Sequence, residues 1–342
     1  MLLKHILFSI HLLYFQLDSY SIPQQIESNC SVLCVCSQKF ERDAILRQLQ
    51  RLPDCKFMGK KQYNNLTVRF FSYRDHYLAL AVSGKNFLST SHRLFKLFIL
   101  LPNVEKVFFT GIGGSLDPCL KPGDVCIPEK WACHSTGYLY NKRTDETHAV
   151  RYEPELPNYE DFYPSSTEIG VDSNDEIVRT HFLACSPSLF TAVQTILPPT
   201  NPDYNFSVQC GGIGVSGTVF VDSAPYRQHL VKTYGAGVVD MESFAVAAAC
   251  CEFQTPFCVI RGISDLAGNR KHGNSENAID AYRDTAANNA AITFTDILRS
   301  IELPKINHPQ MPLKLIQQCL FPHPKLEFNI ENVPHSPKVT AH

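Results

Sequence analysis

The chain has 342 residues and a formal net charge of −2, from 31 Lys and Arg against 33 Asp and Glu. With charges this balanced and no basic block, nothing offers nucleic acid an electrostatic hold, which excludes a DNA- or RNA-binding role. A hydrophobic content of 44% excludes disorder in bulk and allows one large α/β core.

The amino terminus reads as a segment apart. Lys4 precedes the apolar run from Ile6 to Phe15, and Ser19 and Ser21 follow. A charged start, a short apolar core and small residues after it predict a signal peptide over residues 1–21. The run is too short for a membrane span. The expectation is a secreted protein, or one in the secretory lumen, with no membrane partner. Thirteen cysteines suit that compartment, and their odd number leaves at least one outside any bridge. Cys34, Cys36, Cys250, Cys251 and Cys258 lie in apolar runs and read as small core residues. Cys119, Cys133, Cys185 and Cys210 lie near turns or strand ends and are expected in disulfides. Asn-x-Ser/Thr triplets at Asn29, Asn65 and Asn205 read as glycosylation sites in an exported chain.

Further on, Ser31–Cys36 reads as a buried first strand, and Phe40–Gln50 has helical periodicity. Leu66–Tyr73 and Tyr77–Val82 flank a polar turn and predict a hairpin. Thr90–Leu101 predicts an amphipathic helix. Val104–Thr110 reads as a strand running into a glycine turn, Gly111-Ile112-Gly113-Gly114-Ser115, where bare backbone could approach a ligand. Residues 131–180 are rich in Tyr, Pro and acids with little period, and read as an insertion serving as a lid or interface loop. His134 and His148, within it, read as exposed loop histidines. Phe182–Cys185 is a strand, Ser188–Ile196 a helix, Phe206–Val215 a strand and Ala224–Tyr234 a helix. Asn277–Ile301 is a closing helix, and residues 302–342 read as an extended or disordered tail.

The most informative stretch is Gly237–Gly268. Val238 and Val239 end in Asp240-Met241-Glu242. An Ala-rich helix follows, then Phe257–Ile260 ending in Arg261-Gly262-Ile263-Ser264-Asp265. This reads as a βαβ unit with acids at the carboxyl ends of both strands, where open α/β sheets bind ligands. Alone, Glu242 could be a helix N-terminal acid and Asp265 a turn residue. Two acids at two strand ends predict a site.

Three stretches, Thr110–Val125, Val239–Ser243 and Ile260–Asp265, resemble the nucleoside phosphorylase and nucleosidase superfamily. Within it the chain is most similar to the methylthioadenosine/S-adenosylhomocysteine nucleosidase branch. Val219–Arg227, with the export signal and the insertion, resembles the plant bark and vegetative storage relatives. The resemblance covers roughly residues 29–301. It implies a single-domain, three-layer α/β/α sandwich around a mixed, twisted central sheet, assembled as a homodimer or higher homo-oligomer. It implies a small-molecule nucleoside as ligand and no cofactor or metal. Glu242 would bind the ribose hydroxyls, Met241 would line the sugar, Asp265 would protonate the purine at N7 and Ser264 would orient Asp265. Phe220 would stack on the base, Val221 would offer backbone contacts, and Gly111, Gly113 and Gly114 would line the substrate.

The position for the nucleophile is left open between two neighbours. Glu41 would order a water for hydrolysis, whereas Arg42 would hold phosphate for phosphorolysis. Phe109 and Ile112 stand where the resemblance implies phosphate-binding Arg and Ser or Thr. A third reading keeps the fold without catalysis, as a nucleoside-binding or storage protein.

Overall fold

Apolar and β-branched runs build the middle of one sheet, and Ala-rich or amphipathic segments build the helices that cover it. The computed structural model describes residues 22, 24–139, 156–171, 175–197, 203–268 and 275–302. The expected signal peptide, His148 and the tail from residue 303 lie outside the described residues. The chain runs through α1 (Gln24–Ser28), β1 (Cys30–Cys36), α2 (Lys39–Leu49), β2 (Cys55–Tyr63), β3 (Leu66–Tyr73), β4 (His76–Val82), α3 (Phe87–Leu100) and β5 (Lys106–Ser115). Next come β6 (Val125–Ile127), β7 (Lys130–Cys133), β8 (Gly137–Leu139), β9 (Phe162–Pro164), β10 (Thr167–Val171), β11 (Ile177–Thr180) and β12 (Leu183–Ala184). It continues with α4 (Pro187–Ile196), β13 (Val208–Cys210), β14 (Ile213–Ser216), α5 (Ala224–Tyr234) and β15 (Ala236–Asp240). α6 (Ser243–Glu252), β16 (Phe257–Asp265) and α7 (Ser275–Ser300) close it.

Among the described residues, twelve strands form one mixed sheet with flanking helices in a single domain, as expected. Nine strands follow the order β12-β7-β14-β15-β5-β1-β4-β3-β2, with β16 along β5 and β6, and β13 along β6. Every residue of β1 and of β16 is buried, the pattern of strands covered on both faces. α7 lies along β16 and β5 and packs on α2, while α6 packs on α3 and against β7, β12 and β14. The close seat of α7 depends on Gly262, where a Cβ would come 2.0 Å from the Ala286 carbonyl oxygen.

β5 sets the geometry of the site. One of its edges pairs with β16 from Val107 to Gly114. The other edge changes neighbour: β1 covers residues 106–109, and β15 covers Gly114 and Ser115 in antiparallel register. The parting of β1 from β15 opens a cleft along β5 between them. This corrects two expectations. Gly111–Ser115 is the second half of a long strand rather than a turn, because β16 keeps pairing with it. β15 and β16 are not adjacent parallel strands of a βαβ unit. They flank β5, and their ends meet at Gly114, which pairs with both Val239 and Asp265.

The strand expected over 206–215 is broken into β13 and β14 by Gly211 and Gly212, whose φ values of 116° and 76° turn the chain. The expected insertion begins with a core strand, since β7 pairs with β14 and its Trp131 is fully buried. Only then does it leave, as the two-stranded ladders β8–β9 and β10–β11. His134, expected on an exposed loop, is fully buried; its Nδ1 lies 3.0 Å from the Tyr226 hydroxyl. Burial pushes its imidazole down to about 4. Cys119, Cys133 and Cys210 carry free thiols in place of the expected bridges, and the Cys185 thiol donates to the Pro128 carbonyl at 3.6 Å.

Candidate active site

The cleft is a pocket with two acidic corners. At the first, β1 ends and α2 begins, and Glu41 points back from the first turn of α2. Its Oε2 accepts hydrogen bonds from Ser37 N at 2.9 Å, Ser37 Oγ at 2.8 Å and Gln38 N at 2.8 Å. Its Oε1 accepts one from Ile112 N at 2.9 Å. The bonds at Oε2 are what a helix-capping acid makes. The bond at Oε1 is different, because it covers an amide of β5 in the gap between β1 and β15.

At the second corner, β15 delivers Asp240, Met241 and Glu242, and β16 delivers Ser264 and Asp265. Glu242 is buried, and its Oε1 accepts a hydrogen bond from Asn86 N at 2.9 Å. Burial, with neighbouring Asp240 adding to it, raises its carboxyl to about 7 against the opposing pull of Arg261 and the Asn86 amide. Asn86 holds a φ of 83°, unusual for a side chain other than glycine, and caps α3 by accepting from Ser89 N. Asp265 Oδ2 lies 2.8 Å from the Ser264 hydroxyl, and Oδ1 accepts from Ala267 N at 2.8 Å. The turn reading of Asp265 is therefore realised, and the same carboxyl still lines the pocket.

Beneath both corners lies a buried ion pair. Arg261 Nε is 2.7 Å from Asp240 Oδ2, with both side chains essentially inaccessible. Arg261 Nη2 donates to Ser243 Oγ at 2.9 Å, and the guanidinium lies over the Phe109 ring, 4.1 Å from its centre. Asp240 also accepts from Ser216 Oγ at 2.5 Å. Among the described residues Arg261 Nη1 has no hydrogen-bond partner. A Cβ on Gly111 would lie 2.3 Å from that Nη1 and 2.5 Å from Glu41 Oε1, so the missing side chain is what lets the two groups converge.

Of the residues expected from sequence, Glu41, Gly113, Gly114, Phe220, Val221, Met241, Glu242, Ser264 and Asp265 all line this pocket. Phe220 remains 46% exposed there, an aromatic face left open to a ligand. Two others do not line it. Gly111 instead makes room for Arg261 and Glu41. Arg42 turns away and binds Asp43 through Nε at 2.9 Å and Nη2 at 2.5 Å. One step along α2 rotates a side chain by about 100°, and the step from Glu41 to Arg42 carries the side chain out of the cleft, whereas Phe40, on the other side of Glu41, still lines it.

Arg261, Asn86, Lys85 and Arg283 were not foreseen as site residues. For Arg261 a signal existed. An arginine inside an apolar strand must find a buried anion, and Asp240 ends the other apolar strand. Nothing in the sequence marks Asn86, whose part depends on a fold contact 156 residues away.

Known proteins can now be set beside this geometry. Residues 44–299 match the model of the Phosphorylase superfamily. The chain belongs to that superfamily. Among superfamily relatives, the Staphylococcus aureus 5′-methylthioadenosine/S-adenosylhomocysteine nucleosidase is 27% identical over 199 residues, which is 58% of this chain and 71% of the relative. The solved futalosine hydrolase of Helicobacter pylori superposes with a TM-score of 0.60 at 21% identity, covering 80% of this chain and 99% of that one. The 5′-methylthioadenosine/S-adenosylhomocysteine nucleosidase of Neisseria meningitidis gives 0.58 at 22% identity, covering 79% and 99%. At such identities the structures establish a shared fold.

Proposed function

We propose that this protein hydrolyses the N-glycosidic bond of purine nucleosides of the adenosine or 5′-thio-adenosine type. The observation that carries hydrolysis over phosphorolysis is Glu41, a carboxylate built into the pocket beside β5 while Arg42 is turned out to Asp43. A carboxylate there repels a phosphate dianion and suits a water molecule. Relatives that are themselves nucleosidases and a hydrolase support the same reading.

The purine would stack on Phe220 beside Val221, with its N7 toward Asp265. As the C1′–N9 bond breaks, its electron pair passes to the purine, which takes a proton at N7 from Asp265. Ser264 holds that carboxyl in place. Positive charge develops on the ribose, and Glu242, itself buried and binding the hydroxyls above Met241, stabilises that charge. Water adds to C1′ and gives its proton to Glu41 Oε1, which the protein loads with a single hydrogen bond. The apolar run after Lys4 supports export; microsequencing of the mature amino terminus from a secreting host tests it, and an intact Met1 would refute it.

The test is base release from adenosine, inosine, uridine and methylthioadenosine by the purified protein, with and without phosphate. Adenine released without phosphate is the expected result. Release only with phosphate would make the protein a phosphorylase. A nucleoside bound and left intact would make it a binding or storage protein.

A further inference from the structure

The loop that carries Phe220 is held from behind by residues outside the pocket. It spans residues 217–223, from the end of β14 to the cap of α5. Gly217 and Val221 are buried, and Thr218, Val219 and Phe220 between them are exposed. His134 grips both ends of this loop. At the first end its Cε1 and Nε2 lie under Gly217, where a Cβ would be 2.4 Å from either atom. His134 N also donates to Ser216 O at 2.9 Å, and Thr218 N donates to Ser135 Oγ at 3.3 Å. At the second end its Nδ1 lies 3.0 Å from the hydroxyl of Tyr226, in the first turn of α5. That hydroxyl donates to the His134 carbonyl at 3.3 Å, which leaves its oxygen to accept the Nδ1 proton. Nε2 then faces Gly217 unprotonated, and among the described residues it has no partner. Tyr226 is braced in turn by the insertion. The Tyr159 ring stands edge-on to the Tyr226 ring, centres 5.0 Å apart, and His229 packs against both rings. Further along α5, Thr233 Oγ1 donates to Pro157 O at 3.2 Å.

We propose that His134 and Tyr226 are positioning residues for the purine, and that the insertion acts on the pocket through them by way of Tyr159. The inference rests on Phe220 being the platform for the base, as in the reading above. Neither His134 nor Tyr226 lines the pocket. Both act by setting where Phe220 stands. An aromatic ring on a short exposed loop binds a base tightly only when the loop is ordered beforehand, because ordering it on binding costs affinity. The buried imidazole supplies that order by fastening the loop's two ends to one ring.

The experiment is a double-mutant cycle on methylthioadenosine cleavage by the full chain. His134→Asn withdraws the ring from under Gly217. Tyr226→Phe cuts the bond to His134 but keeps a ring for Tyr159, and Tyr159→Ala removes the brace from the insertion. Each is made with Phe220 intact and with Phe220→Ala. The expected result is a KM about three- to tenfold higher in each single variant. The kcat should stay near wild type, because a stacking platform holds the base alike before and in the transition state. With Phe220→Ala present, none of the three should raise KM further. A merely structural role would add the same factor in both backgrounds, or lower kcat with the active fraction, and either outcome would overturn the proposal. Tyr226→Phe keeps the test in force if His134→Asn does not fold. If the wild type released no base, the hydrolase reading would fall by itself, and the same cycle would be read from the Kd of adenosine by calorimetry. A Kd that Phe220→Ala leaves unchanged would overturn the inference.

Discussion

Two buried glutamates face one pocket from opposite corners, and the protein treats them differently. Glu41 accepts four hydrogen bonds, three of them on one oxygen. Glu242 accepts one and sits beside a second carboxylate, Asp240, and its own carboxyl is raised to about 7. The difference follows from local structure. Glu41 lies in the first turn of a helix, where backbone amides are spare. Glu242 follows a strand end whose amides are already taken by Asp240 Oδ1, at 3.2 Å from Glu242 N and 3.1 Å from Ser243 N. One corner is an acceptor held in place by four donors, and the other is a carboxylate raised towards neutral pH by burial.

The largest expected effect comes from removing the fixed acceptor. Glu41→Gln puts an amide group among donors that want an acceptor. Loss of a general base typically costs 10²–10⁴-fold in rate. A misfitted donor in that corner should also cost about 1–3 kcal/mol of stability. Adenine release under single-turnover conditions and thermal unfolding read the two losses separately. Near-wild-type turnover would mean that the water is activated elsewhere.

Glu242→Gln should come next, slowing turnover by about 10²–10³ through lost stabilisation of the cationic sugar. Glu242 must be ionised to act, so wild-type kcat/KM should climb with an apparent midpoint near 7, and the variant should lose that limb. The stability effect has the opposite sign. The folded chain holds the Glu242 proton longer than the unfolded chain, which releases it near the group's ordinary value of 4.5. Stability from this group therefore declines as pH rises from 4.5 to about 7, and the decline should vanish in Glu242→Gln. A pH–rate profile unchanged in shape would remove Glu242 from the titration.

How far these corners were legible in the sequence differs in the same way. Glu242 and Asp265 could be found because acids directly after buried β-branched runs have few structural uses, and Gly237–Gly268 shows two such cases. The helix over Ala224–Tyr234 was equally legible, bounded by Ser223 as cap and Gly235 in the left-handed region. Glu41 could be narrowed only to a pair, since the phase of a helix against its sheet depends on packing that periodicity does not set. The parting of β1 from β15 was hidden, because strand order is a property of long-range pairing and the glycines of β5 mimic a turn. His134 was misread because a histidine buried against Tyr226 and Gly217 looks, in sequence, like any histidine in a polar segment.

A smaller effect would probe where the corners touch. Gly111→Ala places a methyl group between Arg261 Nη1 and Glu41 Oε1. Overpacking of this kind costs about 1–3 kcal/mol. Because the displaced groups serve the pocket, turnover should fall while KM changes little. Chemical denaturation with unchanged m-value, together with steady-state kinetics, would show this. A variant as stable and as active as the wild type would mean that Arg261 has slack the structure does not suggest.

The smallest effect is the most discriminating between the two chemistries. Arg42 is bound to Asp43 on the surface side of α2, with side-chain exposures of 17% and 38%. Partly exposed pairs of this kind are worth about 0–1 kcal/mol, so Arg42→Ala should barely change the unfolding midpoint. It should equally leave phosphate-independent release of adenine unchanged, because the guanidinium does not line the pocket. If the protein were instead a phosphorylase, Arg42 would have to swing from Asp43 into the cleft to meet phosphate, and the substitution would then raise the KM for phosphate steeply. A silent Arg42→Ala beside an inactive Glu41→Gln would place the nucleophile at the glutamate, one helical step from the arginine.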